Sequence, residues 1–259
     1  MSLLADHPQR QLRVSRWAVA ATLLGSVVAC AAPRTPAPQP TLASRASTVS
    51  TVVLVGDSLA EQASPYMQVL LGDRTLVPHV FGGTAPCDWL GKDFAATPAD
   101  MVVISFIGNS STACMADGAG GFLHGQALVD KYRTDLFTLV AQVRATGARV
   151  LLVGQPRRAG GGEADTEVTG VNLAYTALLQ PIAVSWVDAG AAVEDATGAF
   201  AQRLPCITGE PECGADGTNV VRSDDGVHFC PGPNPTPCDV YSSGAFRFAA
   251  TIVDALDQL

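Results

Sequence analysis

The serine at residue 58 and an Asp-x-x-His stretch far along the chain could together perform nucleophilic chemistry. Ser58 follows an apolar run in the stretch Gly-Asp-Ser-Leu at 56–59, and the stretch Asp-Gly-Val-His occupies 225–228. The three-residue spacing lets Asp225 accept a hydrogen bond from imidazole Nδ1 of His228, so that Nε2 can take a proton from a serine hydroxyl. The residues predict Ser58 as nucleophile, His228 as base and Asp225 as the group that orients the base.

Each stretch has a simpler explanation when it is taken alone. Ser58 could be no more than a helix N-cap, and an Asp-x-x-His spacing is common by chance. Three other carboxylates are alternative acids, namely Asp57, Asp188 and Asp224. Asp57 adjoins the serine and is expected to shape its turn. Asp188 is expected to cap the element after the fifth strand, and Asp224 has a poorer spacing to His228.

Two further segments supply candidate donors for an oxyanion. Gly82 and Gly83 follow the second predicted strand, and Asn109 follows the third. A glycine N–H can approach a reacting group closely because no side chain intervenes, and an asparagine amide is a second type of donor. With the N–H of Ser58, these groups predict a three-donor oxyanion hole. The alternatives are a plain loop at the glycines and an Asx turn or an Asn-x-Ser glycosylation match at Asn109.

Alternating strands and helices bring these segments together. The predicted strands lie at 51–55, 75–81, 101–107, 149–153 and 184–187, and the predicted helices at 59–71, 126–146, 166–180 and 242–259. Between the last strand and the last helix lie about fifty residues rich in Gly, Pro, Asp and Cys, with no regular element predicted. The alternation predicts one doubly wound α/β domain, with a parallel sheet of about five strands and helices on both faces. Its site is expected beyond the carboxyl ends of the strands.

The order of these segments, from residue 52 to about 250, resembles the SGNH hydrolase superfamily of GDSL-type esterases and lipases. The matching residues, in family order, are Ser58, Gly82 or Gly83, Asn109, Asp225 and His228. The resemblance implies a flavodoxin-like three-layer fold, hydrolysis or transfer of esters, and neither a metal nor an organic cofactor. Ser110 follows the asparagine where many members have aspartate, so the usual support for that loop is missing.

The first fifty residues predict export and a membrane tether. Three arginines at 10, 13 and 16 precede an apolar run at 17–29, which is short for a membrane span but suits a signal peptide. The run ends at Cys30 in a sequence that resembles a bacterial lipobox, whose cysteine is lipidated. Plain cleavage nearby or an uncleaved anchor are the alternatives. We expect a signal peptide at 1–30, a Pro/Ala/Ser/Thr-rich tether at 31–50 and the hydrolase domain at 51–259.

Six cysteines remain after Cys30, and an even number in an exported chain indicates disulfides. Of fifteen possible pairings, we expect the three between sequence neighbours: Cys87–Cys114, Cys206–Cys213 and Cys230–Cys238. The first of these flanks the glycine and asparagine loops, and we hypothesise that it supplies the rigidity that Ser110 does not.

Charge and composition limit the partners. The chain of 259 residues is 47% hydrophobic, enough for a globular core, and carries a formal net charge of −8 with two lysines. Nucleic acid is therefore excluded as a partner. We expect a monomer on the outer face of the cytoplasmic membrane or in the cell envelope, in contact with lipid only through its N-terminus. The expected reaction is hydrolysis of short-chain esters, including O-acetyl esters of glycans. An O-acyltransferase acting on cell-envelope glycans and a non-catalytic glycan-binding lipoprotein are the alternatives.

Overall fold

The computed structural model describes residues 49–93, 97–179, 184–231 and 238–259. The predicted signal peptide with Cys30, and the tether up to residue 48, lie outside the described residues. The last two residues of the predicted tether belong to the folded domain. Val49 is buried in the core, and Ser50 donates from its N–H and its hydroxyl to the Asp100 carboxylate at 2.9 and 2.7 Å.

The centre of the fold is a parallel sheet of five strands in the order β2-β1-β3-β4-β5, as in flavodoxin-like doubly wound folds. The strands are β1 Thr51–Gly56, β2 Thr75–Val80, β3 Met101–Ser105, β4 Arg149–Val153 and β5 Ser185–Val187. The inner strands β1, β3 and β4 are nearly continuous apolar runs because both of their faces are covered. Pro78, which cannot donate to a neighbour, lies on the edge strand β2. The predicted α/β architecture is confirmed.

Helices cover both faces of this sheet. They are α1 Ser58–Leu70, α2 Gly125–Arg144, α3 Gly162–Ala177 and α4 Ser243–Asp257. Side chains of β1 alternate between the faces: Val52 and Leu54 pack in the core that contains α1 and α4. Val53 and Val55 pack in the core that contains α2 and most of α3. None of the described helices has the length and apolar character that crossing a bilayer requires.

Helix α3 differs from its predicted bounds by about one turn. It begins before the predicted residue 166, because the glycines at 160–162 adopt positive φ and acidic residues at 163 and 165 favour a helix N-terminus. Its predicted last residue, Gln180, lies outside the described residues.

The cysteine-rich segment before α4 is also more regular than expected. It contains an antiparallel pair, β6 Arg203–Pro205 with β7 Thr218–Val220. The three expected disulfides are present: Cys87–Cys114, Cys206–Cys213 and Cys230–Cys238. Two of them close short loops in this segment. Because each bridge restricts the unfolded chain, they stabilise a region with little apolar core of its own.

A close backbone approach lies at Gly56, where β1 ends. A Cβ atom at this position would lie 2.4 Å from the carbonyl oxygen of Ser105 on β3 and 2.5 Å from the Cβ of Ala60 on α1. A side chain here would push α1 away from the sheet, and with it the residue that begins the helix, Ser58.

We expect Gly56→Ala to lower the free energy of unfolding by about 3 kcal/mol, since the added methyl group meets backbone that cannot move aside. Urea unfolding of the full chain measures this change. The matched control is Gly72→Ala, where φ is +62° but no atom lies within 4 Å of the added Cβ. Backbone strain alone should cost about 1 kcal/mol there. Equal losses in the two variants would show that the close approach at Gly56 is unimportant.

Candidate active site

Ser58 lies at the junction of β1 and α1, where Asp57 and not the serine is the helix N-cap. Oδ1 of Asp57 accepts the N–H of Leu59 at 3.1 Å, so that Ser58 becomes the first residue of α1. Its side chain reaches the carboxyl end of the sheet and is 6% exposed. Within the described residues no acceptor takes the N–H of Ser58, which leaves a donor at a helix N-terminus.

The three residues predicted to act together are connected by hydrogen bonds. His228 Nε2 lies 2.9 Å from Ser58 Oγ, and His228 Nδ1 lies 2.6 Å from Asp225 Oδ2. The serine comes from the first strand–helix junction, and the other two come from the loop before α4. The side chains of His228 and Asp225 are 21% and 48% exposed, so the outer end of the series is open to solvent. With the proton on Nδ1, the ring can accept a proton from the serine through Nε2.

The loop at 223–228 is folded around the Asp225 carboxylate. Oδ1 accepts the hydroxyl of Ser223 and the N–H groups of Val227 and His228, the last two at 2.8 and 2.9 Å. Partial burial favours the protonated form, but these hydrogen bonds and the one from the His228 ring outweigh it. They hold the pKa of Asp225 well below its ordinary value, so the carboxylate stays charged where it faces the imidazole.

A buried arginine, Arg222, contacts this loop from the protein interior. Arg222 is fully buried and donates from Nη1 to the carbonyl oxygen of Arg157 at 2.7 Å and from Nη2 to that of Val227 at 2.6 Å. Its guanidinium lies over the rings of Phe200 and Phe229, with 5.4 and 5.6 Å to their centroids. Burial lowers its pKa to about 10, and the group is still charged at neutral pH.

Asn109, a predicted oxyanion donor, is held by hydrogen bonds on each side. Its Nδ2 donates to Asp57 Oδ2 at 3.0 Å and to the carbonyl oxygen of Thr84 at 3.1 Å. Its own carbonyl oxygen accepts the hydroxyl of Tyr132 at 2.9 Å. Both amide hydrogens thus have internal acceptors, and the amide is not a free donor in this structure. A role at an oxyanion requires one N–H to be shared with the substrate, and that role stays a prediction.

The two glycines differ in their distance from the serine. A Cβ atom at Gly82 would lie 3.6 Å from the Cβ of Ser58, whereas nothing lies within 4 Å of the same position at Gly83. The N–H of Gly82 also has no acceptor among the described residues. Gly83 adopts φ of +77° and forms the turn beyond. Gly82 is therefore the better candidate for a donor beside Ser58.

The Cys87–Cys114 bridge and Asp88 connect the loops after β2 and β3. Asp88 accepts the hydroxyl of Thr112 at 2.7 Å through Oδ1 and the N–H of Ala85 at 2.9 Å through Oδ2. The disulfide and the hydrogen bond from Thr112 join the two segments that carry Gly82 and Asn109, and the hydrogen bond from Ala85 fixes Asp88 within the first of them. The two sulfur atoms and the Asp88 carboxylate lie close enough together to suit a metal ion, but the disulfide removes the thiolates that would bind it.

Among the described residues, no hydrogen bond joins the remaining candidate acids to His228. Asp188 accepts the N–H of Ala191 at 3.4 Å, although Ala189 and not Asp188 is the N-cap of the short helix there. Asp224 accepts from the side chain of Gln202 at 2.6 Å. Asp57 is fully buried, and its Oδ2 also accepts the N–H of Ile107 at 2.7 Å. Burial raises the pKa of Asp57 to about 6, although hydrogen bonds and nearby positive charge oppose the shift.

We expect Arg222→Met to lower the free energy of unfolding by about 2–4 kcal/mol, because the partly buried carbonyl oxygens of Arg157 and Val227 lose their donor. Urea unfolding measures the loss, and hydrogen exchange of the Val227 and His228 amides should accelerate. The control is Arg203→Met, at a half-exposed arginine paired with Asp216, which should change stability by less than about 1 kcal/mol. Unchanged exchange at 227 and 228 would contradict a supporting role for Arg222.

We expect the carboxyl group of Asp57 to titrate near pH 6. Asp225 should stay ionised at pH values below the ordinary pKa of aspartate, because its own pKa is lowered. The raised pKa means that the folded state binds this proton more tightly than the unfolded state. The contribution of Asp57 to stability is therefore present below about pH 4 and is lost as the pH rises through about 6. Carbon-13 NMR of aspartate-labelled protein follows both groups in one sample, and a midpoint near pH 4 for Asp57 would contradict the expectation.

Comparison with known protein families finds one that matches this chain. A family model described as "Protein of unknown function (DUF459)" matches residues 86–233, more than half of the chain, including Asn109, Asp225 and His228 but not Ser58. No curated protein matches by sequence.

Several solved structures match the fold at low sequence identity. A proposed acylhydrolase from Bacteroides fragilis is 17% identical, with a TM-score of 0.54 over 81% of this chain and 87% of its own. A GDSL-like lipase from Bacteroides thetaiotaomicron is 15% identical, with a TM-score of 0.53 over 81% and 88%. A variant of an acetyl-xylooligosaccharide esterase from Geobacillus stearothermophilus is 14% identical, with a TM-score of 0.54 over 82% and 96%. The chain has the SGNH hydrolase fold, as the sequence resemblance implied, and it belongs to the family described as "Protein of unknown function (DUF459)".

Proposed function

We propose that this protein is an exported serine hydrolase of short-chain carboxylic esters, including O-acetyl esters, that acts through Ser58, His228 and Asp225. One observation carries the proposal: the hydroxyl of Ser58, the imidazole of His228 and the carboxylate of Asp225 are hydrogen-bonded in series at 2.9 and 2.6 Å. This is the arrangement by which a weak nucleophile is activated in serine esterases of unrelated folds.

The reaction follows from these contacts. His228 Nε2 takes the proton from Ser58 Oγ as that oxygen bonds to the carbonyl carbon of the ester. The negative charge of Asp225 stabilises the imidazolium that forms. The imidazolium then gives its proton to the departing alkoxide, which leaves as the alcohol and an acyl-serine remains. A water molecule, deprotonated by His228, releases the acid and restores the serine.

The negative oxygen of the tetrahedral intermediate is stabilised by donors around Ser58. The N–H of Ser58 at the start of α1 and the N–H of Gly82 have no acceptor among the described residues, which suits them to this role. The Asn109 amide contributes a third hydrogen bond by sharing the hydrogen now directed to Thr84 or Asp57. The internal acceptors keep this amide in place before the substrate arrives, so that little reorganisation is needed.

A short acyl group on a glycan is the substrate class that we favour. The sequence has no long apolar lid of the kind that long acyl chains require, and one structural relative acts on acetylated xylooligosaccharides. Three disulfides suit an oxidising compartment outside the cytoplasm. Together with the signal-like N-terminus and Cys30, they support a lipid-tethered protein of the cell envelope, where acylated glycans are available.

Hydrolysis of p-nitrophenyl acetate, butyrate and octanoate by the full chain in mild detergent tests the proposal. We expect turnover that is highest for the acetate and is reduced at least about 10³-fold in Ser58→Ala, which removes the nucleophile. The control is Ser64→Ala on the same helix, whose hydroxyl donates to the Glu61 carbonyl oxygen and which should retain activity.

Turnover that survives in Ser58→Ala would contradict the serine mechanism. If neither protein hydrolyses these esters but acyl transfer to a sugar hydroxyl is detected, the same site acts as an acyltransferase and the hydrolase proposal fails. Preference for the octanoate would contradict the short-chain assignment.

A further inference from the structure

Arg158, in the loop after β4, lies beside the segment that carries Asn109. Because β4 pairs with β3, the two loops are neighbours at the carboxyl edge of the sheet. Arg158 Nη2 donates to the carbonyl oxygen of Ile107 at 3.1 Å. The same nitrogen lies 3.9 Å from the position that a Cβ atom at Gly108 would occupy. The guanidinium is therefore adjacent to the oxyanion side of the site and not on a remote surface.

The guanidinium has unused hydrogen-bonding capacity. It carries five N–H donors, and within the described residues its one hydrogen bond goes to Ile107. Its Nε is buried and has no partner there. An unsatisfied buried donor is costly, most of all on a charged group. The N–H groups of Nη1 and Nη2 that have no acceptor among the described residues suit a ligand with two oxygens, because carboxylates and phosphates match the guanidinium fork.

Arg158 also lacks the close carboxylate partner that its neighbour Arg157 has, although the buried carboxyl group of Asp57 lies near enough to interact with its charge. Arg157 Nη1 pairs with Asp165 at 2.6 Å, and the Arg157 N–H donates to Glu194. No carboxylate among the described residues lies within ion-pair distance of the Arg158 side chain; Asp165 accepts only the Arg158 backbone N–H, at 3.2 Å. The chain as a whole has a net charge of −8, so an unpaired arginine beside the proposed site requires an explanation.

A cavity of about 470 Å³ opens beside this loop. Arg157 and Arg158 line it, together with Thr197 and Phe200 from the segment after β5. Asp165 also lines it, and the charge of this carboxylate is paired with Arg157. Three glycines, at 160, 161 and 198, also line the cavity and add no side chains to it. The cavity has room for a group the size of a sugar unit, and its lining residues follow β4 and β5 at the same edge of the sheet where Ser58 follows β1.

We propose that Arg158 binds a carboxylate or phosphate group of the substrate, so that the ester cleaved at Ser58 belongs to an acidic glycan. The inference rests on the proposed esterase function and names the substrate class of the same site. Strands β1 and β4 are separated by two strand spacings, about 10 Å in all. The anionic group therefore lies beyond the ester itself, on the part of the substrate that leaves as the alcohol or at the far end of the acyl group.

Paired neutral and anionic esters test the proposal. Phenyl acetate is compared with 4-acetoxybenzoate, which carries its charge on the alcohol side, and phenyl butyrate is compared with phenyl hydrogen succinate, which carries it on the acyl side. In Arg158→Gln we expect the anionic-to-neutral ratio of kcat/KM to fall about tenfold for one pair, mainly through KM. Arg158→Lys should recover part of the ratio because the charge returns without the fork.

The control is Arg133→Gln on α2, whose arginine is 58% exposed and pairs with Asp130; it should leave both ratios unchanged. A lower ratio for the acetoxybenzoate pair assigns the anion to the alcohol side, and one for the succinate pair assigns it to the acyl side. Ratios that stay the same in Arg158→Gln for both pairs would overturn the proposal while leaving the esterase function intact.

A binding measurement decides the matter if no ester is hydrolysed. In Ser58→Ala protein, inorganic phosphate is titrated while the arginine Nε–H resonances are observed by NMR. We expect a saturable shift of the Arg158 resonance, which is assigned by its loss in the Ser58→Ala, Arg158→Gln protein. A shift without any esterase activity would retain the anion site and reject the proposed function. No shift, in a protein that hydrolyses no ester, would reject both.

Discussion

The candidate site depends on one buried carboxylate, that of Asp57. Its two oxygens accept from Leu59 at the start of α1, from Ile107 after β3 and from the side chain of Asn109. A single group thus fixes the residue that begins the helix, the end of the neighbouring strand and the asparagine beside the serine. The burial that makes these hydrogen bonds strong also disfavours the charge, which is why the pKa of Asp57 rises to about 6. The Asp57 carboxylate is tolerated in the interior because these donors surround it. Removal of any one of the donors would leave the buried charge less well solvated.

Much of this arrangement could be predicted from the sequence because the signals are local. The continuous apolar runs of β1, β3 and β4 indicate buried parallel strands, and the parallel order places the residues after them at one edge. The spacing of Asp225 and His228 indicates a contact that a single turn makes. The disulfides pair cysteines near in sequence, where loop closure is easiest. What these signals share is that each depends on residues within one segment or on the general geometry of parallel sheets.

The sequence did not indicate the residues whose importance arises from contacts between segments. Arg222 is one of fourteen arginines, and nothing in its neighbourhood shows that Phe200 and Phe229 will enclose it. The position of Arg158 is equally hard to predict, since it depends on the pairing of β4 with β3. The choice between Gly82 and Gly83 depends on backbone angles and on the approach of Ser58. For Asn109, the donors could be named from the sequence, but the acceptors that already occupy its amide could not.

The two carboxylates of the site differ in a way that explains their separate roles. Asp57 is enclosed by protein and its charge is disfavoured by burial, whereas Asp225 is half exposed and its charge is favoured by four hydrogen bonds. A group that must stabilise a transient imidazolium has to be ionised before the reaction begins, and this suits Asp225. A group that must hold two loops and a helix in register needs fixed donors more than a permanent charge, and this suits Asp57. An exposed carboxylate is otherwise free to turn toward water. The hydrogen bond from Arg222 to the Asp225 loop opposes this because it holds the loop in place. The positive charge of Arg222 also lies near enough to Asp225 to favour its ionised form, so one buried cation contributes to both the shape and the charge of the site.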